Sequence, residues 1–343
     1  MLGFRIPDVN VAPAGRFPRS WACKRRREPV HLGMAIGSTE VGCGVFLPLV
    51  GLSWPELLKR ARLVEELGFQ SFWIDDHFWF PGAPDREHLE VWTALSALAT
   101  TTERCRLGPL VMCHSYRSPG MLAKMASSLS CVSGGRLILG LGAGYMAEEY
   151  DAFGYPMPSP GKRVDQLGET LEILRLTATK ERASFQGQHH VIREAPLLPK
   201  PERLPILLGG AGDRFLELVA RYADIWNCPN PAWRELEARR EKLSSHCDRV
   251  GRDPSEIEIS EQVVVVLGRD EAEVAREVDR ARGILGEFAR FDGDVHVGTP
   301  DQVAESLRAR CRLGVESFCV MFGDFGSSSQ IEIFGREVLP QLA

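Results

Sequence analysis

The residues best suited to chemistry lie in one short acidic and aromatic stretch, residues 75–80 (DDHFWF). His77 is the candidate acid or base, because imidazole titrates near neutral pH. A structural histidine bonded to one of the two preceding aspartates is the competing interpretation. Trp79 and Phe80 either line a substrate pocket or cover the fold as packing. The stretch therefore indicates proton transfer beside an aromatic pocket.

A second stretch, residues 134–150 (GGRLILGLGAGYMAEEY), alternates leucines with glycines at positions 140, 142 and 144. Alternate residues of a strand share a face, so one face is rich in leucine and the other loses its side chains. Glycine weakens a strand, and three at period two indicate a close approach to the backbone. A flat ligand ring and a tightly packed neighbouring helix are both candidates for that approach.

Residues 142–147 (GAGYMA) also fit the G-x-G-x-x-A pattern of dinucleotide sites. That pattern requires a ribose-binding acid at a strand end about 20 residues later. Residues 162–179 have helical periodicity instead, so we reject a classical nicotinamide site. Another glycine run, residues 209–212 (GGAG), precedes a predicted helix, where backbone N–H groups suit a phosphate. A plain tight turn explains the same glycines.

The elements that must position these residues alternate between strand and helix. Eight such strands over about 300 residues predict an α/β fold, a (β/α)8 TIM barrel, whose chemistry lies where the strands end. Insertions are expected after strands four and seven, at 183–203 and 291–298. A doubly wound sheet would place its phosphate-binding glycines after the first strand. The predicted strands are 41–47, 69–74, 104–112, the glycine stretch, 205–208, 224–227, 257–267 and 317–322.

Composition narrows the class of protein. The 343 residues are 44% hydrophobic and 25% charged, as in a globular domain with a large core. A net charge of −5 argues against nucleic-acid binding, and no apolar run is long enough for a membrane span. Nine cysteines without a Cys-x-x-Cys pair favour a reducing cytoplasm. His189-His190 has no ligand partner at suitable spacing, so no metal is expected.

The first 38 residues differ from the remainder. They are rich in proline, glycine and arginine, and a basic run at 24–27 is not followed by an apolar stretch. That order does not fit a signal peptide. We expect a flexible N-terminal extension at 1–38, with an organelle transit segment as the alternative, and a single barrel domain at 39–343.

A series of short motifs runs in order over roughly residues 41–325. With these motifs the chain resembles the bacterial luciferase-like flavin-dependent superfamily, especially its deazaflavin (coenzyme F420)-dependent oxidoreductase branch. The order of the motifs is more specific than any one of them. The motifs are Asp76-His77-Phe78, Tyr116–Pro119 with Ala123-Lys124, Ser133–Leu137, Leu139–Gly144 with Glu149-Tyr150, Leu208–Gly212 with Ala220–Asp224, and Val297–Pro300.

The resemblance implies a barrel with a deazaflavin or flavin ring across its C-terminal mouth. Asp76 would approach the polar edge of the ring. A bulge in the third strand, often with a cis peptide, would support the far face of the ring. Matching residues are Leu110 and Val111 for the bulge, Ala143, Gly144 and Glu148 for the ring or its chain, and Gly210, Ala211 and Gly212 for the phosphate-bearing tail.

The chain departs from the pattern at one position. Sugar-phosphate dehydrogenases of this branch carry a glutamate directly after the Gly-x-Gly of strand four, where this chain has Tyr145. That substrate class is therefore doubtful, and Tyr145 is grouped with Trp79 and Phe80 in the expected substrate pocket. An aromatic residue here suits a less polar substrate or simply fills space.

The resemblance implies hydride transfer between coenzyme F420 and an unidentified small organic substrate. An FMN-dependent monooxygenase that uses reduced flavin and oxygen is the alternative. A cofactor-binding homologue without activity is the third interpretation. Members of the superfamily are often dimers through barrel helices, so a homodimer is a further possibility.

Overall fold

The computed structural model describes residues 41–229, 232–286, 291 and 293–342. The extension expected at 1–38 lies outside these residues. Twelve strands are present in the described part of the chain. They are β1 (Gly42–Leu47), β2 (Ser71–Ile74), β3 (Arg106–Pro109), β4 (Met112–Cys113), β5 (Leu139–Gly142), β6 (Arg182–Gln186), β7 (Val191–Pro196), β8 (Ile206–Gly209), β9 (Ile225–Cys228), β10 (Glu258–Leu267), β11 (Val295–Gly298) and β12 (Ser317–Phe322).

Helices fill most of the intervals between the strands. Proline in the first turn marks the starts of α1, α3, α5 and α9, where a missing N–H costs no helical hydrogen bond. The helices are α1 (Trp54–Glu66), α2 (Val91–Thr101), α3 (Pro119–Val132), α4 (Ala147–Ala152), α5 (Pro160–Thr179), α6 (Asp213–Tyr222), α7 (Leu236–Val250), α8 (Glu271–Leu285), α9 (Pro300–Arg312) and α10 (Ser328–Ile333).

The main sheet is parallel and closes on itself. Its order is β3-β2-β1-β12-β10-β9-β8-β5-β4, and the two ends, β3 and β4, are consecutive in the chain. A parallel bridge between Leu107 and Leu137 joins β3 to the residues just before β5. Since β3 and β4 together form one barrel position, eight positions surround the axis. The predicted (β/α)8 barrel is confirmed.

The two faces of β5 separate the two parts of the core. Leu137, Leu139 and Leu141 belong to the large cluster between the strands and the helices. Ile138 lies on the other face, in the smaller cluster inside the barrel with Phe46 and other inward side chains. The glycine face of β5 therefore points into the barrel, toward its axis.

The structure corrects several predicted elements. The third strand, predicted as continuous over 104–112, is interrupted between β3 and β4 at a cis peptide bond between Leu110 and Val111. The segment predicted as a loop at 291–298 contains β11, which pairs in parallel with residues 264–267 at the C-terminal end of β10. The insertion at 183–203 is an antiparallel hairpin of β6 and β7. In the described residues, no helix is both long and apolar enough to cross a membrane.

Candidate active site at the barrel mouth

A cavity of about 650 Å³ opens where the barrel strands end. This volume lies within the range of small-molecule and cofactor sites, roughly 300–1,000 Å³. The structure brings most of the predicted site residues to its wall. Trp79 and Glu148 are the exceptions. The predicted residues that line the cavity are Asp76, His77, Phe80, Leu110, Val111, Ala143, Gly144, Tyr145, Gly210, Ala211 and Gly212.

The glycine face is explained first by a side chain of the protein. A Cβ at Gly142 would lie 2.6 Å from Cγ2 of Val111, and one at Gly209 would lie 2.9 Å from its Cγ1. A Cβ at Gly140 would lie 2.0 Å from the carbonyl oxygen of Pro109. The interrupted third strand thus occupies the space that these glycines leave. The close approach predicted from period-two glycines is made by the neighbouring third strand at Gly140 and Gly142, and at Gly144 by Cys113 and by Tyr150 of α4.

His77 is held between a carboxylate and a phenol. Its Nδ1 lies 3.1 Å from Oε2 of Glu149, and its Nε2 lies 3.3 Å from the hydroxyl of Tyr145. Burial disfavours the charged imidazole, but the hydrogen bond and charge of Glu149, with the charges of Asp75 and Asp76, outweigh burial and raise the pKa of His77. Its hydrogen-bond partner is therefore Glu149, and neither of the preceding aspartates.

The two aspartates before His77 are engaged elsewhere. Arg117 binds Asp76 with two parallel hydrogen bonds of 2.8 and 3.0 Å, and the backbone N–H of Cys113 donates to the same carboxylate at 2.9 Å. Asp75 accepts the N–H of Leu49 at 2.8 Å and lies 2.9 Å from Nε2 of His88. Asp76 lines the cavity, but its carboxylate is already bound by protein donors.

Cys113 lines the cavity, and its neighbour Tyr150 is fully buried. The Sγ of Cys113 lies 3.1 Å from the hydroxyl of Tyr150. Gly144 has a φ of 76°, and a Cβ there would lie 2.4 Å from that hydroxyl. Burial raises the pKa of the Cys113 thiol, so the thiol is protonated at neutral pH and is a poor nucleophile.

Two side chains hold the glycine run 209–212, which precedes α6, by hydrogen bonds to its carbonyls. Trp226 donates its indole N–H to the carbonyl of Gly210 at 2.8 Å, and Arg239 donates to the carbonyl of Ala211. A Cβ at Gly212 would meet no atom within 4 Å, so the start of α6 is open toward the cavity. The first N–H groups of a helix lack helical partners and attract anions. Arg163, near the start of α5, is buried and donates to the carbonyl of Pro158 at 2.7 Å.

Aromatic residues beside the cavity join the loop after β2 to the segment after α4. Phe78 stacks on Phe153 with ring centroids 4.0 Å apart, and Trp79 lies 6.0 Å from the same ring. Tyr116 packs against Phe78 at 4.9 Å. Of the two uses predicted for Trp79, packing is therefore the one that the structure supports. Among the described residues, no group of three or more metal-ligating side chains is found.

The family of the chain follows from comparison with known proteins. The model of the Luciferase-like monooxygenase family matches residues 31–294. The chain belongs to this family. The predicted resemblance is confirmed, and the chain is an oxidoreductase of the luciferase-like class.

Curated luciferase-like relatives match along most of their length. The 5,10-methylenetetrahydromethanopterin reductase of Archaeoglobus fulgidus is 25% identical over 336 residues, which cover 85% of this chain and 97% of the relative. An F420-dependent glucose-6-phosphate dehydrogenase of Microbacterium testaceum is 26% identical over 320 residues, covering 84% and 93%. Both relatives are named as enzymes with small-molecule substrates.

Solved structures of luciferase-like proteins share the barrel. An F420-dependent secondary alcohol dehydrogenase, in complex with an F420-acetone adduct, superposes with a TM-score of 0.80 at 21% identity, covering 89% of this chain and 99% of the other. The long-chain alkane monooxygenase LadA superposes with a TM-score of 0.76 at 15% identity, covering 88% and 91%. At these identities the likeness concerns the fold.

Proposed function

We propose that the chain transfers hydride between coenzyme F420 and a small organic substrate at the barrel mouth. The proposal rests on the position of His77 in the cavity wall. Its Nδ1 is hydrogen-bonded to Glu149, and its Nε2 lies beside the hydroxyl of Tyr145. Hydride transfer at a carbon that bears oxygen requires a proton to move at that oxygen. His77 is the group placed to hold and release that proton.

The cavity also fits the cofactor. Val111, backed by Gly142 and Gly209, gives a wall without projecting polar groups, and the start of α6 offers backbone N–H groups to a phosphate. Leu110, Val111, Ala143 and Gly144 would contact the ring, and residues 210–212 its phosphate-bearing tail. When bound, F420 supplies or accepts the hydride. Glu148 is exposed on α4 and away from the cavity, so it is not part of this proposal.

The substrate is proposed to carry no phosphate. Among the described residues that line the cavity, Arg214 is the one lysine or arginine, and it lies beside the glycine run at the start of α6. Near His77 the wall is formed by uncharged side chains such as Tyr145 and Phe80 and by three acidic residues, Asp75, Asp76 and Glu149. An anionic sugar phosphate would find no lysine or arginine there and three carboxylates nearby, so a neutral alcohol or carbonyl compound is the better match.

The alternative is a monooxygenase that uses reduced FMN and oxygen. The description of the family favours it. The deazaflavin is preferred because a curated relative aligned over 93% of its length is F420-dependent by name. A homologue that binds cofactor without turnover is the third possibility.

Parallel titrations with F420 and FMN, followed by absorbance and fluorescence, test the cofactor. Micromolar binding of F420 is expected, and FMN binding without F420 binding would overturn the proposal in favour of the monooxygenase. Turnover is then measured with F420 against secondary alcohols, ketones and aldehydes, with glucose 6-phosphate as the phosphorylated comparison.

A variant pair tests the role of His77 once a substrate is found. His77→Ala should lower kcat by about 10²- to 10⁴-fold with cofactor affinity retained. His189→Ala, in the hairpin away from the cavity, is the matched control and should leave kcat unchanged. Equal kcat in wild type and His77→Ala would contradict the assigned role, and turnover by the wild type excludes the inactive homologue.

A further inference from the structure

Glu149 is a buried carboxylate that joins two loops of the barrel mouth. It lies on α4, after β5, and only 1% of its surface is exposed. Three donors converge on it: the N–H of Phe78 at 2.5 Å, the hydroxyl of Tyr116 at 2.9 Å, and Nδ1 of His77 at 3.1 Å. Both carboxylate oxygens are used, Oε1 by the backbone and Oε2 by the two side chains.

We propose that Glu149 is the positioning residue of the site, which fixes the orientation and the tautomer of His77 so that Nε2 faces the cavity. The inference rests on the proposed function, in which His77 carries the proton. An ionised carboxylate only accepts hydrogen bonds, so Nδ1 of His77 must be the donor. Nε2 then acts toward the cavity as the acceptor of a proton, or as its donor when the ring is charged.

The carboxylate is held in its ionised form. Burial opposes the charge of Glu149, but the hydrogen bond and charge of His77, together with the donors from Phe78 and Tyr116, outweigh burial and lower its pKa. Glu149 is thus negative at neutral pH, next to the imidazole. Two neighbouring rings lock the geometry, because Phe78 stacks on Phe153 just beyond α4.

Other charged groups near His77 have different partners. Asp75 is bound by Leu49 and faces His88, while Asp76 is bound by Arg117. They add negative charge near the ring but, in the described residues, make no hydrogen bond to it.

The remaining polar groups around His77 do not bind its Nδ1. Tyr145 meets Nε2 and is 65% exposed, so a substrate oxygen can take its place. Glu148, on the same helix, is exposed to solvent. Glu149 therefore sets both the orientation of the His77 ring and its tendency to carry a charge.

The test is a ¹⁵N NMR titration of the histidines in the full chain without cofactor. In the wild type, neutral His77 should be the Nδ1–H tautomer, with a titration midpoint above its ordinary value of 6.5. Glu149→Gln removes the charge, and the midpoint should fall by about one pH unit or more. Tyr116→Phe is the matched control, because it removes one hydrogen bond to Glu149 and keeps the charge. Its midpoint should move by less than half as much.

Two results would overturn the proposal. One is an Nε2–H tautomer of neutral His77 in the wild type, which requires no variant. The other is an unchanged midpoint in a Glu149→Gln chain that is folded by circular dichroism. If that chain does not fold, Glu149→Asp, which keeps the charge, should retain a midpoint above 6.5, and a midpoint at or below 6.5 also counts against the proposal.

The titration is independent of F420, so loss of the proposed cofactor would leave its result standing. With a substrate in hand, the pH profile of kcat should shift with the NMR midpoint in Glu149→Gln while F420 affinity stays within about twofold of the wild type. A kcat that falls without any shift of the profile indicates a purely structural role and refutes the positioning role.

Discussion

Val111 and Gly142 should be energetically coupled, because the glycine leaves room for the valine. In Gly142→Ala the new methyl would lie 2.6 Å from Cγ2 of Val111, far inside contact distance. Overpacking of this kind costs about 1–3 kcal/mol of unfolding free energy. In a Val111→Ala background the nearest atoms would be the carbonyl oxygen of Gly209 at 3.6 Å and Cβ of residue 111 at 3.8 Å, both ordinary contacts.

A double-mutant cycle measures this coupling. The four chains are unfolded in urea, and the free energy of unfolding is compared from midpoints and slopes. Gly142→Ala should be destabilising in the wild-type background and close to neutral with Val111→Ala, giving a coupling energy of about 1–3 kcal/mol.

Gly140 provides the matched control. A Cβ there would lie 2.0 Å from the carbonyl oxygen of Pro109, whereas Cγ1 of Val111 is 3.5 Å away. Gly140→Ala should therefore be as damaging with Val111→Ala as without it. The reasoning is refuted if Gly142→Ala costs the same in both backgrounds to within about 0.5 kcal/mol.

Three further predictions concern charged groups that hold the barrel together. Arg117→Ala leaves the buried carboxylate of Asp76 without its cation, so the free energy of unfolding, measured by urea titration, should fall by about 3–5 kcal/mol. In an Asp76→Asn background, where that charge is absent, the same substitution should cost clearly less. Burial opposes the charge of Glu65, but the backbone N–H donors of residues 103–105 lower its pKa below 4.5. The ionised carboxylate therefore stabilises the fold at neutral pH, and this stabilisation is lost as the pH falls through the lowered pKa. The difference in free energy of unfolding between wild type and Glu65→Gln should shrink between pH 7 and 3, and a constant difference would contradict this. Arg136 donates to four backbone carbonyls and to the hydroxyl of Thr102 around the base of β3, so Arg136→Ala should cost about 2–3 kcal/mol in thermal or urea unfolding. A loss under about 0.5 kcal/mol would be inconsistent with these bonds.

The fold could be predicted because its signals are local and repeated. Each barrel strand is a short apolar run followed by a helix with one apolar face, and eight such units admit few arrangements. The interruption between β3 and β4 was not visible in the run at 104–112, because Val111 packs against Gly142 and Gly209, which are distant in the chain. Only the resemblance implied a bulge at Leu110 and Val111, and the structure has a cis peptide bond there. β11 was missed because residues 291–298 read FDGDVHVG, in which two valines stand among turn-forming glycines and aspartates.

Most individual residues of the candidate site could be predicted from the sequence, but the hydrogen bonds between them could not. Strand-end rules placed His77 and the two glycine runs at one mouth, and the structure brings them together. Glu149 was noted as part of a motif, but its partner His77 is 72 residues away and periodicity carries no information on such pairs. The same holds for Arg239 behind Ala211, whose contact depends on how α7 packs on α6.

The short strand β11 has a consequence for how the protein behaves in concentrated solution. β10 pairs with β9 through residues 258–261 only, and β11 takes over beside residues 264–267, which read Val-Val-Val-Leu. Without β11, that apolar segment would present a row of open backbone donors and acceptors, the kind of edge that templates pairing between molecules. β11 covers this part of the edge, so we expect a chain shortened across 294–299 to self-associate through the edge of β10.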